Sequence, residues 1–329
     1  MGSILSGSTT SLANKAHPVR GYLYIATATL LWGIAATLGR AAFTGRLLPA
    51  GQRLQIDPLI LSQSRTTFSF LVLLPILIVQ RGWRRLKLPP ADFGRLVLLG
   101  VLGVAASNYF YYLAIQKTNV ATAIILQYTA PVLVLLYMVA RGLQKATLQR
   151  VSAVALAVVG SVLAIGVVGA GGLRLNTIGV TAGMLAAVSF SFYNVAGHNI
   201  LARYDRWIVL LYTTLSAAVF WLVVNPPWKL AAAHYSCIEW SFLLAFAVVS
   251  VLAPFSFYFA GLQHLEPTRA IVSSCLEPAF SIVIAAVVLG EGARPAQVVG
   301  IVVVLAAIVL VQLPDRGERG TGTMVEPIE

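Results

Sequence analysis

Ten stretches of this chain are predominantly apolar and long enough to cross a lipid bilayer. They fall at about 21–43, 58–80, 93–115, 119–140, 148–168, 177–198, 206–224, 239–262, 268–290 and 294–313. A crossing helix needs about 20 residues to cover roughly 30 Å of hydrocarbon. Barrel strands alternate apolar and polar residues, and Val298–Leu313 shows no such alternation. Lipid offers the backbone no hydrogen-bond partners, so segments like these must satisfy their own backbones as helices. The expected fold class is an all-α membrane protein with ten transmembrane helices. Lone prolines at Pro75, Pro131, Pro254 and Pro278 are compatible with this where neighbouring helices meet the freed carbonyls.

Composition excludes a soluble alternative. Of 329 residues, 58% are hydrophobic and only 10% charged, against about 25% charged in soluble domains. The net charge of +12 comes from short basic runs between the apolar stretches, such as Arg81, Arg84, Arg85 and Lys87. That is the pattern of cytoplasmic loops, and no nucleic-acid module accompanies it. On one side of the membrane lie Lys15, Arg20, Arg81, Arg84, Arg85, Lys87, Arg95, Arg141, Lys145, Arg150, Arg203, Arg206, Arg269, Arg316 and Arg319, fifteen in all. Only six lie on the other side: Arg46, Arg53, Lys117, Arg174, Lys229 and Arg294. This bias and the even span count place both termini in the cytoplasm. No signal-peptide cleavage site follows Lys15 and Arg20, so the first span is expected to stay. Cys237 and Cys275 are isolated thiols with no metal-ligand spacing. Neither a metal nor a cofactor is expected.

The halves repeat. A shift of 147 positions aligns Tyr111 with Tyr258, Gln116 with Gln263, Ala123 with Ala270, Ile124 with Ile271, Pro131 with Pro278 and Val151 with Val298. The first span resembles the sixth, with Gly21, Ala28 and Gly39 falling on Gly179, Ala186 and Gly197. A unit of five spans is odd, so its second copy must enter the membrane inverted. Inverted repeats serve alternating access around a site near the midplane.

The stretch Leu126–Leu136 with Pro131, the segment Leu276-Glu277-Pro278, Leu289-Gly290-Glu291, Gln297–Gly300 and the early Leu31-Trp32-Gly33 together resemble the EamA family of the drug/metabolite transporter superfamily. The resemblance covers nearly the whole chain. It divides the span-bearing part into a first repeat 21–168 and a second repeat 177–313; charge and composition mark 1–20 as a cytoplasmic segment and the polar, Gly-rich 314–329 as a disordered cytoplasmic tail. The resemblance implies a ten-helix basket, both termini cytoplasmic, with a central cavity between the halves and small solutes as cargo. One departure is Gln144 in Gly142-Leu143-Gln144, where many members carry Gly-Glu; Glu291 keeps the acid in the second half.

Polar residues within spans are costly, and each needs a reason. Glu277 sits near the middle of the ninth span, before Pro278, with Ser274 and Ser281 at helical spacing. Either it lines the cavity and meets substrate or a proton, or it makes a structural hydrogen bond to a neighbouring helix. Pro278 leaves a nearby carbonyl without its intrahelical donor. Arg65, about seven residues into the second span, either faces an anionic substrate, pairs with Glu277 or snorkels to the interface. Arg40 reads as an interfacial anchor. Asn108, Tyr111, Tyr112 and Gln116 form a half-aromatic stripe on the third span; Ser191, Tyr193, Asn194 and His198 form another on the sixth. Gln127 and Tyr128 precede Pro131. These stripes suit a cavity for an amphipathic solute or serve as helix–helix glue. The candidate substrate-binding set is Glu277, Asn108, Tyr112, Gln127, Tyr128, Tyr193, Asn194 and Arg65.

No nucleophile–base pair, paired aspartates or phosphate-binding loop is present, so an enzyme is not expected. The sequence reads as a secondary-active exporter of small amphipathic metabolites such as amino acids, in the cytoplasmic membrane, with a proton or another coupling ion as its driving partner. Uptake by a permease of the same superfamily is the alternative. From another class, an intramembrane enzyme or sensor would need convergent catalytic groups or a soluble output domain.

Overall fold

The structure, a computed structural model, describes residues 17–43, 58–118, 120–165, 176–232, 234–289 and 294–313. Residues 1–16 and 314–329, Glu291, and the side chains of Arg40 and Gln116 lie outside the described residues. All secondary structure among the described residues is helical. The helices are α1 (Pro18–Phe43), α2 (Pro58–Arg81), α3 (Pro90–Leu98, Leu99–Ala105 and Ala106–Lys117) and α4 (Val120–Gln127 and Ala130–Ala140). Then come α5 (Leu148–Ile165), α6 (Thr177–Leu201), α7 (Arg206–Val224) and α8 (Cys237–Ala247, Val248–Leu252 and Ala253–Leu262). The chain ends with α9 (Pro267–Ser274 and Leu276–Leu289) and α10 (Pro295–Gln312). Eight are long and apolar enough to cross a membrane; α1 and α9 are the two expected spans outside that group. The chain is a multi-pass membrane protein.

Helix ends carry the expected local chemistry. Prolines 18, 58, 90, 267 and 295 open helices, where the missing N–H costs nothing. The Asn176 side chain accepts from Gly179 N at 3.2 Å, and Ser236 with Glu239 forms a capping box before α8.

Alongside an apolar core, polar side chains that a soluble protein would expose are buried here. On α2, the run Ser62, Gln63, Ser64, Arg65 and Thr66 is buried, whereas Val79 on the same helix is 86% exposed. Apolar side chains face lipid and polar ones face the bundle, because in hydrocarbon only neighbouring helices supply hydrogen-bond partners. Small residues let backbones touch. A Cβ on Gly300 of α10 would stand 2.7 Å from the Gly160 carbonyl oxygen of α5.

The interruptions of the helices follow one register. The π-helical turns at Leu99–Ala105 of α3 and Val248–Leu252 of α8 overlap after a shift of 147. The breaks in α4, after Gln127, and α9, after Ser274, coincide under the same shift. Main helix pairings also correspond. α1 packs on α8 and α9 as α6 packs on α3 and α4, α2 meets α8 as α7 meets α3, and α2–α7, α4–α9 and α5–α10 pair with each other.

Candidate functional site

The site begins with what Pro278 does to α9. Proline has no N–H, so the carbonyl four residues earlier loses its donor. That carbonyl belongs to Ser274, and the helix breaks at Cys275. Ser274, Glu277 and Ser281, set at helical spacing in the sequence, thus lie on two sides of this break, Ser274 before it and the other two after. The Tyr128 hydroxyl, at the matching break in α4, stands 3.4 Å from the Ser274 carbonyl oxygen and donates to Glu277 Oε2 at 3.0 Å. A carboxylate in a charged hydrogen bond is the stronger acceptor of the two. Tyr128 is buried and Glu277 half-buried.

Arg65 forms a second centre, joining α2 to α3 and α8. Its Nε donates to Ser250 Oγ at 2.8 Å and its Nη2 to the Ser250 carbonyl at 3.0 Å. Nη1 reaches Asn108 Oδ1 at 3.4 Å and also donates to the Tyr112 hydroxyl. The guanidinium lies over the rings of Tyr112 and Phe246, 5.6 and 5.5 Å from their centres. Arg65 is 8% exposed. It therefore neither snorkels nor pairs directly with Glu277; its contacts are neutral groups. Glu277 is nonetheless within electrostatic reach of Arg65, and Tyr111 on α3 is within reach of both.

The remaining candidates flank these centres. Gln127 Nε2 approaches Ser107 Oγ at 3.5 Å, tying α4 to α3 beside Asn108. Asn108, Tyr111, Tyr112 and Gln127 are all half-buried. Asn194 and Tyr193 sit deeper, at 0% and 1% exposure. Asn194 Oδ1 accepts from the Tyr258 hydroxyl at 2.5 Å, and the Tyr193 ring stacks on Phe259 at 5.3 Å. Trp32 of α1 packs edge-on against Phe255 and lies 5.2 Å from the Tyr258 ring. His198 Nδ1 meets the Leu262 carbonyl at 2.9 Å. Among the described residues there is no group of three or more His, Cys, Asp or Glu that could hold a metal.

Sequence reasoning missed Ser250, which receives two of the Arg65 donors, and Ser107. Both are single serines in apolar runs and carry no pattern of their own. Tyr258 was visible as the repeat mate of Tyr111 but not as a partner for Asn194.

The description "EamA-like transporter family" belongs to a family model that matches residues 19–166 and again 177–313. The chain belongs to the EamA-like transporter family. This EamA protein is similar to the uncharacterized inner membrane transporter YicL of Salmonella typhimurium, with 22% identity over 300 residues that cover 90% of this chain and 96% of YicL. It is also similar to the threonine/homoserine exporter RhtA of Escherichia coli K12, at 26% identity over 213 residues, 64% of this chain and 68% of RhtA. A solved crystal structure superposes with a TM-score of 0.71 at 19% identity, covering 90% of this chain and 97% of the other. That likeness concerns the fold.

Proposed function

We propose that this EamA protein is a secondary-active exporter of small zwitterionic or amphipathic metabolites, amino acids among them, driven by a proton or another ion. The observation that carries the reading is that an acid of the second half and a buried cation of the first are each held at a helix interruption, Glu277 at the breaks of α9 and α4 and Arg65, from the unbroken α2, at the π turn of α8. Glu277 hangs from the break in α9 against Tyr128 at the break in α4. Arg65 is held across the π turn of α8 by Ser250. A buried cation with no direct ion pair among the described residues is costly at membrane depth. A substrate carboxylate would compensate it, while a substrate ammonium or a proton would answer Glu277. Half-buried Asn108, Tyr112 and Gln127 supply the polar and aromatic walls of such a cavity. Tyr193 and Asn194 back it from the aromatic layer.

All ten helices are proposed to span the cytoplasmic membrane, in two inverted five-helix repeats with both termini inside. The matched interruptions and exchangeable helix pairings support that arrangement, as does the basic bias of the loops. Export is favoured over uptake by the partial likeness to RhtA, named as an exporter of threonine and homoserine.

The test is transport by purified protein in proteoliposomes, with a panel of amino acids and pH gradients of either sign. Glu277→Gln keeps size and the Tyr128 contact while removing the charge. It should insert normally and lose gradient-driven transport. Parent-like transport by Glu277→Gln at every pH would make Glu277 a structural group and remove the centre of this reading.

A further inference from the structure

A basic cluster forms where the start of α1, the start of α7 and the α8–α9 loop meet. The rings of His17 and His264 lie 6.3 Å apart, and His264 stacks on Tyr24 at 6.0 Å. The Arg206 guanidinium stands 5.8 Å from the centre of the same Tyr24 ring and 5.2 Å from that of Trp207. Arg20, one turn beyond His17, completes the group: His264 is within electrostatic reach of His17, Arg20 and Arg206 together. His264 Nδ1 is buried with no hydrogen-bond partner among the described residues.

The nearby acids are engaged elsewhere. Asp205 takes Arg81 at 2.7 Å and the Trp207 amide at 3.0 Å. Glu266 takes Gln144 at 3.0 Å and lies 3.8 Å from Arg269 and 3.9 Å from Arg150. Among the described residues neither Arg20 nor Arg206 has an ion pair. Burial and these surrounding cations hold the His264 imidazole below its ordinary value, as expected where positive charge is concentrated without a counter-ion. Beside the cluster, α1 turns Val19 and Leu23 outward at 73% and 63% exposure.

We propose that this cluster seats the phosphate of an anionic phospholipid, whose acyl chains lie along Val19 and Leu23. Arginine guanidinium groups present paired donors suited to phosphate oxygens. The exposed apolar strip continuous with the charges selects a lipid over soluble phosphate, which has no use for it. Basic groups at the cytoplasmic interface attract anionic headgroups, each contributing about fivefold in affinity.

The experiment uses the full chain in neutral detergent, with bound lipid counted by native mass spectrometry and stability followed by thermal unfolding. Phosphatidylglycerol should bind and raise the melting temperature, and phosphatidylcholine should not. Arg20→Gln/Arg206→Gln should weaken phosphatidylglycerol binding by about 25-fold, two contributions of about fivefold, and Arg20→Lys/Arg206→Lys, which keeps the charges but not the paired donors, should bind at an intermediate level. The control Arg84→Gln/Arg85→Gln removes the same charge from exposed positions in another loop and should behave as the parent. Undiminished binding by the Gln pair overturns the proposal. Equal loss in the control pair overturns it as well, by assigning the effect to overall charge. Stabilisation by inorganic phosphate alone, equal to that by the lipid, overturns it in favour of a soluble anion.

Discussion

Replacing Arg65 separates its structural work from its proposed role as receptor for a substrate carboxylate. The guanidinium donates to Ser250 Oγ, the Ser250 carbonyl, Asn108 and Tyr112. Hydrogen bonds to charged groups contribute about 1.5–3 kcal/mol each. Arg65→Lys keeps the charge buried, but one ammonium cannot reproduce the fork that grips Ser250 through Nε and Nη2. Losing about two such bonds costs on the order of 3–6 kcal/mol. Arg65→Met loses all four bonds and also the buried charge. Its former partners keep other contacts: Ser250 Oγ donates to the Phe246 carbonyl at 2.5 Å and Asn108 Nδ2 to the Val104 carbonyl at 2.7 Å. Apolar replacement of buried ionic groups is often near neutral, so Arg65→Met should cost about 0–2 kcal/mol. The stability order is therefore parent, Met, Lys. If Arg65 receives the carboxylate, the transport order is parent, Lys, Met. Thermal unfolding in detergent gives the first order. Proteoliposome exchange with amino acids and their decarboxylated amines gives the second. Equal transport of carboxylate substrates by the Met and Lys variants would refute the receptor role and leave Arg65 as a helix clamp.

Three further outcomes are expected. Gln144 donates to Glu266 and accepts from Thr268 at 2.8 Å; Gln144→Glu sets two carboxylates against each other and should lower the melting temperature more at pH 8 than at pH 3, since acid relieves repulsion between carboxylates. Gly300→Ala forces a Cβ against the backbone of α5 and should cost about 1–3 kcal/mol in thermal unfolding, whereas Gly94→Ala meets nothing within 4 Å and should be neutral or slightly stabilising. The His264 imidazole, held below its ordinary value by burial and by His17, Arg20 and Arg206, binds fewer protons folded than unfolded, so its contribution is present above about pH 6.5 and is lost as pH falls from there toward the folded value. In detergent free of anionic lipid, the melting temperature of His264→Gln should therefore fall less than the parent's between pH 7 and pH 5.

The helices were legible because lipid imposes one strong rule. A span must be apolar and self-satisfied, and that rule leaves a mark in every residue of Val298–Val311. The interruptions were half legible. Pro131 and Pro278 were read as tolerated within spans, with a carbonyl freed beside Pro278; the structure breaks the helices at Tyr128–Thr129 and Cys275, whereas Pro75 lies in an unbroken α2. The π turns at Leu99–Ala105 and Val248–Leu252 were not foreseen, since neither contains a proline. A π turn needs an extra residue within the helix rather than a special side chain, so composition does not reveal it.

The site shows the same division. Arg65, Asn108 and Tyr112 were each marked by polarity within an apolar run, and they meet in space. Tyr128 and Glu277 meet as well. Their partners could not be named, because a pair such as Arg65 and Ser250 is separated by 185 positions and a lone serine costs a span little. The pairing of Arg65 with Glu277 was one of three readings left open by the sequence. The structure resolves it differently, with each charge held by neutral groups of its own. The two opposite charges lie within electrostatic reach of each other without a direct hydrogen bond between them, and on the proposed function that is where a solute would enter. In a transporter, a zwitterion has the charges to occupy both, and the distance left between them then becomes a determinant of which solutes fit.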